Sequence, residues 1–174
     1  MTMLPPIAEL NASPRDSFFS AVNTLFETAP PLADRLYAAR PFASYAHLID
    51  YSQALVLGDD LNRDEKIEII NAHPRIGENP AKLSALSLKE QGYEERTILP
   101  EEREVNETLA RLNEAYEMRY GFKFVVFVAG RSRTEIIKVV EQRLTTDDPQ
   151  DELITGLTDM MSIARDRLRK LGEQ

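Results

Sequence analysis

The chain has 174 residues, 43% apolar and 29% charged, which suits a single soluble globular domain large enough to bury a stable core. A formal net charge of −8 argues against general phosphate-backbone binding, and the lack of tryptophan with only 7% aromatics argues against a stacking platform for nucleic acid. There is no cysteine, which removes disulfides, thiolate nucleophiles, zinc–thiolate sites and iron–sulfur clusters together.

A small anionic substrate stays open, because one or two local arginines can override a distant field. No apolar run approaches the roughly 20 residues of a membrane-spanning helix. The start, MTMLPPIAELNASPRD, lacks the basic region and apolar core of a signal peptide, and the end, KLGEQ, is no peroxisomal address. A soluble cytoplasmic protein is expected.

Residues 1–12 read as a loosely structured N-terminal segment of one domain spanning 1–174. Ser13-Pro14 then offers an N-cap and a first-turn proline to a helix through Phe18, Phe19, Val22, Leu25 and Phe26. Pro30 and Pro31 end that helix and start another through Leu32 and Leu36. Pro41 breaks it, Ser44 caps a helix running to about Leu57, and Gly58 stops that one. Asn62 and Glu65 form a capping box for a helix through Ile67 and Ile70. His73-Pro74 closes it, since a residue before proline is pushed out of the α region.

Residues 75–86 read as loop, and Ser87 with Glu90 has the spacing of another capping box. Pro100 opens a long helix with Val105, Leu109, Leu112 and Tyr116 on one face, ended by Gly121. Phe124 to Val128, FVVFV, has strand composition but no evident partner strand. An extended or irregular buried segment is therefore expected, and its backbone groups need partners that a ligand could supply. Ser132 and Glu135 box the next helix, with Ile136, Val140 and Leu144 inward. Asp148-Pro149 opens the last, with Leu153, Leu157, Met160, Ala164, Leu168 and Leu171 on one face. The fold class is all-α, with about seven or eight helices.

Histidine titrates near neutral pH, so His73 can act as a general acid or base. Its plainer reading is a helix terminator. His47, inside a helix, has a structural or surface role. Glu90 can bind a polar substrate or merely cap its helix. Arg167 flanks the last apolar stripe, where it either snorkels to water or pairs with a carboxylate or anionic ligand; Arg165 on the opposite flank is its control. Arg131 and Arg133, ahead of a helix N-terminus, form either a solvated basic corner or an anion site. No Gly-rich phosphate loop, HExxH spacing or GxSxG elbow occurs. An enzyme built this way works by proton transfer and electrostatics.

A helix ending in AHPRIG, a loop to SLKEQ, the block LNEAYEMRYGFKFVVFVAGRSRTEII, a closing ARDRLRKL, and RPF at Arg40 to Phe42 together resemble the OHCU decarboxylase family. These are the enzymes that act on 2-oxo-4-hydroxy-4-carboxy-5-ureidoimidazoline in uric acid degradation. The resemblance runs from about Ser13 to Leu171. It implies an all-helical fold, a homodimer, no metal or organic cofactor, and loss of CO2 to give (S)-allantoin. Carried over by position, the catalytic residues fall on His73, Glu90 and Arg167. Substrate-binding residues fall on Pro74, Ser87, Gln91, Phe124, Val125, Val126, Phe127 and Val128. Two departures stand out. Many members have Asp-Leu-Ala-Gly after His-Pro where this chain has Arg75-Ile76-Gly77-Glu78 and a shorter loop, and Ala129 stands where a basic residue is common. The alternative is a non-catalytic helical module that holds a purine-like or ureido-ring ligand; a purely structural helical domain is a third reading.

Overall fold

The computed structural model describes residues 4–76 and 100–172, the side chains of 100–102 apart. Among the described residues there are eight helices and no strand. They are α1 (Ile7–Ala12), α2 (Arg15–Leu25), α3 (Pro30–Ala38), α4 (Tyr45–Leu57), α5 (Arg63–Asn71), α6 (Pro100–Tyr120), α7 (Arg133–Arg143) and α8 (Pro149–Leu171). The chain forms two compact units, Met1–His73 with Leu157–Gln174, and Pro74–Gly156. The expected capping box at Ser87 and Glu90 lies outside the described residues.

In the first unit, α3 packs against α2, α4 and α5, and α1 against α2. Of the inward stripes expected from spacing, Phe18, Val22, Leu25 and Phe26 on the α2 stripe, Leu32 and Leu36 on α3 and Ile70 on α5 are buried, whereas Phe19 and Ile67 are half-buried and Ile69 takes the inward place beside Ile70. Each buried side chain contributes about 1.5–3 kcal/mol by leaving water. Ser44 accepts from the His47 amide at 3.0 Å, and the Asn62–Glu65 box closes in both directions. The exposed His47 ring accepts from the Ala43 amide at 3.1 Å, so this histidine finishes a helix start. Gly58 ends α4 where a Cβ would meet the Ala54 carbonyl oxygen at 2.7 Å.

Three local expectations change. Residues 7–12, read as loose, form α1, because Leu10 is fully buried. Ser13 does not cap α2; its hydroxyl donates to the Glu9 carbonyl at 2.8 Å, and Pro14 takes the N-cap position without a side-chain bond. The joint between α1 and α2 is instead clasped by the RPF stretch. Arg40 donates to the carbonyls of Tyr37, Asn11 and Ser13 at 2.8–3.1 Å, and Asn11 exchanges two bonds of 2.9 Å with the Phe42 backbone. Likewise, α2 ends at Leu25, ahead of the prolines, and Glu27 turns the chain at φ 43°.

In the second unit, α6 packs against α7. The Ser132–Glu135 box opens α7, and Gly121, at φ 86°, closes α6 in a conformation that costs glycine little. Tyr116 stands at the centre of an aromatic cluster, with ring centroids 4.6 Å from Tyr120, 5.9 Å from Phe122 and 5.3 Å from Phe124.

Candidate active site

His73 lies two residues beyond α5, and its amide still donates to the Ile70 carbonyl at 3.2 Å. Pro74 stops the helix there, as its ring requires. The histidine is only 6% exposed. It is a sheltered imidazole at a helix end, in the first unit.

Arg167, also in the first unit, is 1% exposed, which rules out snorkelling. Its guanidinium donates to the Thr24 and Leu25 carbonyls at 3.4 and 3.3 Å and to Glu27 at 3.3 Å. The last carbonyls of α2 carry the negative end of that helix's dipole, so a buried cation is stabilised there. Arg165, by contrast, makes an exposed 3.0 Å pair with Asp50, of the kind worth little.

Pro74 and the segment from Phe124 to Val128 belong to the second unit. Residues 124–128 have no regular secondary structure, and Phe124, Val125 and Val126 are buried. Their carbonyl partners turn out to be arginines. Val125 accepts from Arg143 at 2.8 Å, Phe127 from Arg131 at 2.6 Å, and Val128 from Arg131 Nε at 3.1 Å. Thus the side chain of Arg131 fastens the segment, and the start of α7 is closed by Glu135; Arg133 is half-buried at its first position. Ala129 and Gly130, at φ 52° and 76°, turn the chain out of the segment. Ser87, Glu90 and Gln91 lie outside the described residues.

Two polar features of the second unit escape sequence reading. Asn113 is buried on α6 and donates to the Ile76 carbonyl at 2.7 Å, while Arg75 pairs with Glu117 at 2.8 Å. The residues directly after His73-Pro74 are thereby tied to α6. The signal was available: Asn113 interrupts the apolar series Leu109, Tyr116, Tyr120 at helical spacing. Replacing Asn113 by alanine leaves the Ile76 carbonyl without this donor, so stability should fall by about 1–3 kcal/mol. A denaturant midpoint equal to the parent's would show that the tie does not matter.

The other is Glu152, in the first turn of α8. It accepts from Tyr116 at 2.7 Å, Arg143 at 2.8 Å and Thr146 at 2.8 Å. Burial raises the Tyr116 pKa well above its ordinary value; the Arg143 charge pulls it down less, and the bond to Glu152 adds to the rise. The phenol therefore stays a neutral donor. Its raised pKa means that the unfolded chain releases this proton first, above pH ~10. The stabilisation is complete below that pH and is lost as pH rises towards the folded value. In alkaline titration, the parent should lose stability above pH ~10 more steeply than Tyr116→Phe; parallel curves would contradict the assignment.

Among the described residues no group of three His, Asp or Glu side chains is arranged to hold a metal ion, and no helix is long and apolar enough to cross a membrane.

A family model described as OHCU decarboxylase matches residues 11–169. The chain is 32% identical over 162 residues to a 2-oxo-4-hydroxy-4-carboxy-5-ureidoimidazoline decarboxylase of Haloferax volcanii, covering 93% of each. It is 28% identical over 165 residues to a protein of the same name from Halalkalicoccus jeotgali, covering 95% of this chain and 90% of that one. A crystal structure of an OHCU decarboxylase in the presence of (S)-allantoin superposes with a TM-score of 0.63 at 23% identity, covering 82% of this chain and 90% of the other. At that identity the likeness bears on the fold, which is the all-α architecture expected. With the family model matched over most of its length, the chain belongs to the OHCU decarboxylase family and is a carboxy-lyase.

Proposed function

We propose that this carboxy-lyase acts in uric acid degradation and removes CO2 from 2-oxo-4-hydroxy-4-carboxy-5-ureidoimidazoline, giving (S)-allantoin without a metal or organic cofactor. The observation that carries the reading is the 32% identity to the Haloferax volcanii decarboxylase over 93% of both chains. The sheltered imidazole of His73 at the end of α5 supports it.

The chemistry asks for little machinery. When CO2 leaves, its bonding electron pair moves into the ring, and a proton must then reach the ring carbon that becomes the stereocentre. His73 serves as the general acid–base for that transfer, a role worth about 10²–10⁴-fold when the group is well placed. Glu90 accepts from ring or ureido N–H groups. Arg167 binds the carboxylate or a ring carbonyl, and its ties to the end of α2 keep its head in one orientation. Pro74, Ser87 and Gln91 complete the substrate contacts. In the segment from Phe124 to Val128 three carbonyls accept from arginines, so the segment offers the substrate its apolar side chains and backbone donors. The proposal includes a homodimer.

Purified protein given freshly generated ureidoimidazoline should release CO2 faster than buffer. Release at the buffer rate would overturn the reading, and saturable binding without release would instead favour a ligand-holding module.

A further inference from the structure

We infer that the buried Arg143–Glu152 pair is a positioning device that sets the geometry of the substrate-lining segment 124–128; this rests on the decarboxylase reading above. The pair lies wholly in the second unit. Its side chains are 10% and 4% exposed and 2.8 Å apart.

One guanidinium plane engages four neighbours. Arg143 Nε donates to Glu152, Nη1 to the Val125 carbonyl at 2.8 Å, and Nη2 lies 3.4 Å from the Tyr116 hydroxyl. The same group sits 4.6 Å from the centroid of the Phe124 ring. Glu152 is in turn fixed by Tyr116 on one oxygen and Thr146 on the other. The orientation of the Val125 carbonyl is therefore set by a chain of bonds reaching from α6 to α8. Arg131 fixes the next two carbonyls but one residue on, at Phe127 and Val128. Val126 is left suspended between the two clamps.

A buried ion pair is a poor way to gain stability, since desolvation offsets most of its attraction and apolar replacements often do as well. What such a pair gives is direction. The segment has no neighbouring strand among the described residues to fix its pleat, so the Arg143 guanidinium directs the Val125 carbonyl in its place. A binding surface must hold its groups within about 0.5 Å of the productive geometry to bind its substrate well. The planar fork of arginine suits this work; lysine, a point charge on a flexible stem, keeps the charge and loses the direction.

The test uses the whole protein with Arg143→Lys and, as a milder probe, Thr146→Val, which removes one donor to Glu152. Both are checked for parental circular dichroism, then measured for steady-state kinetics and for amide hydrogen exchange across residues 124–128. A positioning role acts on substrate binding. KM should rise about tenfold in Arg143→Lys with kcat within about threefold and its pH profile unshifted, and exchange in the segment should quicken while the α6 and α7 interiors stay protected. Thr146→Val should move both readouts the same way by less, and it decides the question alone if Arg143→Lys does not fold. Parental KM with unchanged exchange in a folded variant would overturn the inference. So would a fall in kcat that follows the unfolded fraction at constant KM, the mark of a merely structural pair. If the parent itself fails to decarboxylate the ureidoimidazoline, the functional reading falls, and the exchange measurement still decides whether the pair holds the segment.

Discussion

His73→Ala is expected to fold like the parent and to lose about 10²–10⁴-fold in kcat, the range that a positioned general acid–base contributes. The expectation follows from where the residue sits. A histidine inside α5 would keep its side chain on the helix surface, in register with its neighbours. Pro74 ends the ladder, so His73 stands outside it while remaining 6% exposed. The imidazole is shielded from bulk water yet attached to a rigid element, as proton delivery to one face of a ring requires. Because alanine also leaves a small void, His73→Asn, which nearly keeps the shape, should be measured beside it. Turnover by either folded variant within a factor of two of the parent would remove His73 from the chemistry.

Glu152→Ala should cost about 3–5 kcal/mol of stability, because it strands the nearly buried Arg143. For a chain of this size that corresponds to a fall in Tm of roughly 10 °C. The double variant Glu152→Leu with Arg143→Met should be less destabilised than the single one, since it removes the stranded charge as well as the pair. A single variant that melts with the parent, or a double variant that melts lower still, would mean that the carboxylate does not compensate the arginine. Such destabilisation is distinct from the kinetic effect expected of Arg143→Lys, which keeps the cation and changes only its geometry.

Much of the helical framework was legible because its signals are local. Ser44, Asn62–Glu65 and Ser132–Glu135 each cap a helix three residues away, and Pro74 and Gly121 stop helices by their own backbone limits. The character of FVVFV was legible too, as an irregular buried segment in need of partners. Who those partners are was not, because Arg143 reaches Val125 across 18 residues of sequence and Tyr116 reaches Glu152 across 36. From the sequence Arg143 is a basic residue ending a helix and Glu152 an acidic residue starting one, both ordinary in those places. Their meeting is set by tertiary packing. The helix α1 was missed for the same reason: its six residues gain their hold from Leu10 in the core and from the Arg40–Phe42 clasp. For the site, residue spacing alone left His73 and Arg167 open between function and architecture. The structure gives Arg167 a definite architectural attachment at the end of α2.

The proposed decarboxylation is handed. Spontaneous decay of the ureidoimidazoline should give racemic allantoin, whereas an enzyme that protonates one face gives a single enantiomer. The most direct measurement follows circular dichroism at the allantoin bands after freshly generated substrate is added. The parent protein should bring up the (S)-allantoin signal faster than decay in buffer, and His73→Ala should not. A signal that rises no faster than in buffer, or product that forms rapidly yet remains racemic, would overturn the proposed function.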